Sequence, residues 1–424
     1  MRTALFAIIV ANIVCAFDAS LFEDKLLSSI NKNINIFTKL STAIVTYVEL
    51  KDVSSLKEPS YINQLILKNK AYSNISLKII TTLLANGAEE GSTENELMSY
   101  LNITDKVSLN DKYLSAFAFL NSIKDNELYV ETAIYVQNSV NLTADFSSLC
   151  INKLHCSISK VDFRNDLQVV ETINLWVKKT TNYEIFHILT PDTIDVDTKI
   201  MLVNTVYFNI GWLNLPKAET VERIFHISPL KMYFVPIIKF EKSMFSYGEI
   251  PHWKCKFIEI PSLNDKITMI IFLPNEEMEI GDLDYLIEKF NFKAFQSVRT
   301  AYTNKLEQDI ELYLPKFTIK SIQNKTNFFR RKNIITMFED KADFTRLSKI
   351  PLKVSNIVEK VSVKIRNEMS ETSEVVKRRE RKSVDQPQEL IVDRPFIYII
   401  EINGKMEFIA SVRAPDFIFI RDEL

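Results

Sequence analysis

The sequence predicts an α+β chain folded as a single large domain, and three observations lead there. Helix-like and strand-like segments are mingled along the 424 residues, with no repeat, linker or low-complexity tract to divide them before residue 361. Several strand-like runs are apolar on both faces, which suits strands covered on two sides. Last, a strand pattern (Val361, Val363 and Ile365 against Ser362, Lys364 and Arg366) runs into a polar, then strongly basic stretch, and strand patterns return at Phe396. Such a stretch cannot enter a core, so it reads as an exposed loop held at both ends by a rigid scaffold.

The elements follow in order. Residues 21 to 50 carry apolar side chains at helical spacing, weakened at Asn31–Asn35, and predict a first helix. From Ser76 the run LKIITTLLANG predicts a helix closed by Gly87, and Ser92-Thr93-Glu94-Asn95-Glu96 supplies hydroxyls and carboxylates to open another. Leu128 to Val136 alternates like a strand, and Val169 to Val177 has helical spacing. Lys199 to Phe208 and Lys266 to Leu273 read as strands buried on both sides, the second stopped by Pro274-Asn275. Ile310 to Phe317 and Phe396 to Ile402 are further strands, and Met406 to Val412 completes a hairpin through Asn403-Gly404.

Composition is that of a globular protein, 46% hydrophobic and 25% charged, and the net charge of −2 argues against nucleic acid as a partner. Met1-Arg2 followed by the apolar run Ala4 to Ala16 has the plan of a secretory signal peptide over residues 1–16, leaving 17–424 as the mature chain. The run is too short to span a membrane, and no later one reaches about 18 apolar residues, so no membrane insertion is expected. Arg421-Asp422-Glu423-Leu424 differs from the KDEL address only in its first position. It predicts residence in the endoplasmic reticulum lumen with a retrieval receptor as partner; secretion is the alternative.

Loss of Cys15 with the signal peptide leaves Cys150, Cys156 and Cys255, an odd number and no disulfide framework. Cys150 and Cys156 are spaced to bridge across a helix end, but buried free thiols are the reading adopted. Sequons begin at Asn74, Asn102, Asn141 and Asn324. His155, His187, His226 and His252 show no HExxH or paired-ligand spacing, and no GxSxG or phosphate loop occurs, so no catalytic residue, metal or cofactor is assigned.

Within the loop, Lys377-Arg378-Arg379-Glu380-Arg381-Lys382 sets five cations against one anion, a net +4. Basic pairs on an exposed loop are what trypsin-like and subtilisin-like processing proteases cut, and acidic subsites gain paired charge from each guanidinium. A solvated basic loop with no partner is the plainer alternative.

Several separated stretches, in order, resemble the serpin family over essentially the whole mature chain. They are Asn174-Leu-Trp176-Val177 with Thr180 and Ile185, Leu202-Val-Asn204 leading to Tyr207-Phe208 and Gly211-Trp212, and Leu273-Pro274. Then follow Leu314-Pro315-Lys316-Phe317, Ala342-Asp343-Phe344, and Arg394-Pro395-Phe396 with Pro415. The resemblance implies three β-sheets, eight or nine helices, a monomer, and a metastable fold with its reactive loop exposed over about 367–392. It implies that a serine protease cuts the loop, forms an acyl-enzyme, and is distorted when the freed hinge inserts as a strand in the central sheet.

By the same resemblance the shutter, where the sheet parts, maps to Ser73, Ser76 and Asn204, and Trp212 falls in the breach at the top of the sheet. Two shutter positions depart from the family: Asn74 stands for a Pro, and Glu359 for a His usually placed two strands from Asn204. A glycan on Asn74 would be buried, which leaves Asn102, Asn141 and Asn324 as the glycosylation candidates. The hinge runs through Met369, Ser370, Glu371, Thr372, Ser373 and Glu374; Met369 replaces a Gly and Glu374 interrupts a run of small residues. An inserted strand buries alternate side chains, so Glu374 would be buried at a cost of several kcal/mol without a partner. Recognition by the protease falls to Lys377, Arg378 and Arg379, and the cut bond is Arg381–Lys382 or Lys382–Ser383, the second favoured by counting from the hinge. Two functions result: an inhibitor of furin-like convertases or trypsin-like proteases, or a non-inhibitory serpin-like chaperone of the endoplasmic reticulum.

Overall fold

The computed structural model describes residues 69–122, 128–181, 183–210, 219–228, 231–262, 266–275, 282–302, 307–365 and 388–415. The expected signal peptide, the helix over 21 to 50, Trp212, the hinge, the cleavage residues 377–383 and the tail 421–424 lie outside them.

Strands in chain order are β1 (Lys70–Ser73), β2 (Leu128–Gln137), β3 (Ser157–Val161), β4 (Ile200–Ile210), β5 (Glu219–Ser228), β6 (Lys231–Ile250) and β7 (Cys255–Pro261). They continue as β8 (Ile267–Pro274), β9 (Glu307–Pro315), β10 (Thr318–Asn324), β11 (Asn356–Ile365), β12 (Gln388–Ile391), β13 (Phe396–Ile402) and β14 (Lys405–Val412). Eight α-helices are described: α1 (Asn74–Gly87), α2 (Ser92–Leu101), α3 (Lys106–Ser122), α4 (Ala144–Asn152), α5 (Asp166–Thr180), α6 (Asp282–Lys289), α7 (Phe292–Tyr302) and α8 (Thr326–Arg331).

The central sheet has the order β10-β11-β4-β2-β3. A nine-stranded array holds the rest, in the order β1-β14-β13-β8-β7-β6-β9-β12 with β5 on β6. Strand β6 is 20 residues long and its ladder to β9 slips between Phe240 and Ser243. Its first half pairs with β5 and its end with β7, so it passes from one small sheet into another. Counting those two and the central sheet gives the three sheets expected, and the α+β expectation holds.

The two-sided apolar pattern has its cause in layering. On β4, Ile200, Leu202, Val206 and Phe208 face the main core, while Met201, Val203 and Tyr207 face a second core under α5. Alternation of side chains along a strand splits one apolar run between two layers. Helix α5 supplies Val169, Ile173 and Val177 to the second core, four residues apart and so on one face. On β8 the split repeats, with Met269 and Ile271 in the main core and Ile270 and Phe272 against Leu286 of α6 and Phe295 of α7.

Side-chain caps fix several helix starts. Thr143 accepts from the Phe146 amide and Asn165 from that of Gln168. The β13–β14 turn has Asn403 at φ 49° and Gly404 at φ 72°, the left-handed pair that a two-residue hairpin requires.

Gly87 is the last residue of α1, as expected, and it also serves packing: a Cβ there would stand 3.1 Å from Leu347 and Phe146 side-chain atoms. Three expectations are corrected. Helix α2 is capped by Gly91 with no side-chain bond, because the Thr93 hydroxyl is taken by the Asp343 amide and Glu94 pairs with Lys106. Strand β9 stops at Pro315, and Phe317 turns inward against Phe396 and Tyr398. The loop expected over 367–392 ends earlier, because Gln388–Ile391 form β12, parallel to β9, and the Val392 amide donates to the Tyr313 carbonyl.

Candidate functional site

One row of facing residues across the central sheet is polar. Gln323 of β10 lies opposite Glu359 of β11, Glu359 opposite Asn204 of β4, and Asn204 opposite Thr132 of β2. Ile357 and Val361, two residues either side of Glu359, belong to the main core, so the row points into that core, the one α1 packs against.

Helix α1 completes the arrangement from above. Ser73 caps it, accepting from the Ser76 amide at 3.2 Å. The Ser76 hydroxyl donates to Asn204 Oδ1, and Asn204 Nδ2 donates to Thr132 Oγ1 at 2.7 Å. Ser73, Ser76, Asn204 and Glu359 are all 0% exposed. The four residues that sequence assigned to one site, drawn from three separate segments, are therefore brought together.

Glu359 has a charged partner that the sequence reading missed. Lys325, the first residue after β10, places Nζ 2.6 Å from Glu359 Oε2, and both side chains are wholly buried. Its Nζ also donates to Gln323 Oε1 at 2.9 Å and stands 4.8 Å from the centre of the Tyr72 ring on β1, a cation–π distance. Its backbone amide donates to the Ile357 carbonyl at 2.8 Å, which pins it beside β11. Neither Glu359 oxygen meets hydrogen-bond angles, so charge holds the pair more than an aligned bond does. Burial pushes the Glu359 carboxyl above its ordinary 4.5, and the Lys325 charge offsets that only in part.

The family's position was expected two strands from Asn204, yet Glu359 sits on the adjacent strand. The reason is that β11 and β4 pair directly and in parallel over ten residues each, from Asn356 with Met201 to Ile365 with Ile210. Parallel pairing is slightly weaker per residue than antiparallel, and the polar row crosses this seam at Glu359 and Asn204.

Among the sequons, Asn74 is half-buried and donates to the Met406 carbonyl at 2.7 Å. Asn102, Asn141 and Asn324 are exposed. Asn102 ends α2 at φ 53°, Asn141 accepts from Lys160, and Asn324 donates to Asn356 at 3.0 Å. Trp176 packs edge-on to Tyr135, as a core residue would. Cys150, Cys156 and Cys255 are buried, and no disulfide joins them in this structure. No group of three or more metal-binding side chains occurs among the described residues.

A profile of the family described as serpin (serine protease inhibitor) matches residues 61–415. The chain belongs to the serpin family. Antitrypsin of Bombyx mori is 27% identical over 327 residues, covering 76% of this chain and 82% of its own. Glia-derived nexin of Rattus norvegicus is 30% identical over 296 residues, covering 68% and 72%. The structure of native protease nexin-1 with heparin superposes with a TM-score of 0.71 at 25% identity, covering 84% of this serpin and 95% of that chain. Serpins are as a family inhibitors of proteases and generally not catalytic enzymes. No described helix of this serpin is long and apolar enough to cross a membrane.

Proposed function

We propose that this serpin inhibits furin-like convertases or trypsin-like proteases through Lys377, Arg378 and Arg379 as recognition residues and a cut at Lys382–Ser383, with Arg381–Lys382 as the second register. The observation that carries the reading is the placement of the +4 hexamer in the chain. It lies between β11, which belongs to the central sheet, and β12, which belongs to another, so both ends of the segment are anchored in different sheets. Cutting such a tether frees the part attached to β11. A strand returning from Ile365 would run antiparallel to both β11 and β4, replacing one parallel ladder by two antiparallel ones. Ser73, Ser76, Asn204 and Glu359 are proposed as the shutter that holds the seam until then, with Met369 to Glu374 as the hinge and Trp212 in the breach.

The signal peptide and the Arg421–Leu424 address support a chain that works in the endoplasmic reticulum lumen; it is proposed as a monomer, with Asn102, Asn141 and Asn324 as glycan sites. The departures at Met369 and Glu374 favour a second reading, a chaperone that inhibits nothing. Mixing the purified protein with a furin-type convertase, and separately with trypsin, separates the two. A complex that survives a denaturing gel is the inhibitor's outcome. Complete cleavage with no complex at either enzyme would retire inhibition, and N-terminal sequencing of the released C-terminal fragment assigns the bond.

A further inference from the structure

Among the described cysteines, Cys150 and Cys156 meet at the end of α4. Cys150 sits in the last turn of α4, where the amides of Lys153 and Leu154 both donate to the Leu149 carbonyl and end the helix. His155 then adopts a φ of 47° and turns the chain back, so that the Cys156 amide donates to the Cys150 carbonyl at 2.9 Å. A backbone bond of that length holds the two Cα atoms about 5 to 6 Å apart, within the roughly 4.4–6.8 Å that a disulfide spans. Both thiols are buried, at 0% and 3% exposure, in the main core. The contact with Cys150, and then burial, push the Cys156 thiol well above its ordinary range. Cys255 lies in a different core cluster, under α6 and α7.

We propose that Cys150 and Cys156 are a disulfide in the mature protein, closing the ring of residues 150–156 and tying the end of α4 to the start of β3. This rests on the secretory reading for the place where the bond forms, and on the geometry alone for its ability to form. The reaction is thiol–disulfide exchange with a disulfide oxidant such as oxidised glutathione. One thiolate attacks the oxidant, releasing one thiol and leaving a mixed disulfide; the second cysteine displaces the other, so two electrons and two protons leave the protein and reduce one disulfide to two thiols. Because the folded core shuts both sulfurs from solvent, exchange takes place before α4 docks. The consequence is a fastened outer edge of the central sheet, since β3 is the strand farthest from β10.

The test uses the full mature chain, refolded in a glutathione redox buffer, so that it does not depend on the compartment. After denaturation, iodoacetamide should modify one cysteine of three, Cys255, rising to all three once a reductant is added. Trypsin cuts at Lys153, so the bond should appear as two peptides joined across that site. Cys156→Ala should leave two modifiable cysteines, Cys150 and Cys255. Three modified cysteines without reductant, a glutathione adduct on Cys150 or Cys156, or a bond from either to Cys255 would overturn the assignment. If the bond forms on refolding but three thiols are free in protein purified from cells, the disulfide chemistry stands and the secretory reading fails.

Discussion

Two clusters in this serpin use the same ionic chemistry in opposite settings. On α7, Arg299 reaches two carboxylates, Glu259 at 2.6 Å and Glu401 at 2.9 and 3.1 Å, with N–H groups aligned to both and with 29% of its side chain in solvent. Lys325 meets Glu359 in a site with no exposure at all and without an aligned bond. The first arrangement keeps part of the Arg299 side chain in water and aligns bonds to both carboxylates, although burial still raises Glu259. The second has neither, and the desolvation of a buried pair commonly exceeds its attraction. A pair that costs stability, placed on the strand that must leave its neighbour if the sheet parts, fits a fold that stores strain.

The sharpest break of this comparison is removal of one member from each cluster. Lys325→Met leaves Glu359 buried and unpaired and should lower stability by about 3–5 kcal/mol, read from urea unfolding midpoints. Arg299→Met, with water close by, should cost about 1–3 kcal/mol. Equal losses would erase the distinction. Next in size is the double variant Lys325→Met, Glu359→Leu, expected to regain the whole loss and to exceed the parent by roughly 1–4 kcal/mol. A double variant as unstable as Lys325→Met alone would show that the pair stabilises the fold. Ser76→Ala removes the donor to Asn204 and should cost about 1–3 kcal/mol, because the amide oxygen stays buried.

Expectations for pH are smaller and have a definite sign. Glu359, Glu259 and Glu407 are each raised chiefly by burial, so the folded chain holds their protons more tightly than the unfolded chain does. In the window from the ordinary 4.5 up to each raised value, stability must fall as pH rises, and the full cost is present above it. Melting temperature should therefore climb as pH is lowered from 7.5 toward 5. The double variant should show less of that climb, since it lacks Glu359.

Much of this architecture was legible because layering writes itself into alternation. The run IMLVNTVYF had to be a doubly covered strand, and Asn403-Gly404 had to be a hairpin turn. The departure at Glu359 was also legible, but only through the family resemblance, which places a His there. Its partner was not. Lys325 stands between Asn324 and Thr326 in what reads as a solvated sequon, and only the register of β10 against β11, with Gln323 opposite Glu359, brings it to the carboxylate. A buried carboxylate announces that a cation is needed; which one arrives is decided by pairing across 34 residues of chain. The packing role of Gly87 was hidden for a similar reason, because its neighbours Phe146 and Leu347 are far away in sequence.

Thermal unfolding of the chain before and after a single cut within residues 377–383 tests the central claim most directly. A strained fold with a severed tether should relax, so the cut protein should melt at a clearly higher temperature, as the seam between β11 and β4 accepts a new strand. Identical melting temperatures for intact and cut protein would contradict the account.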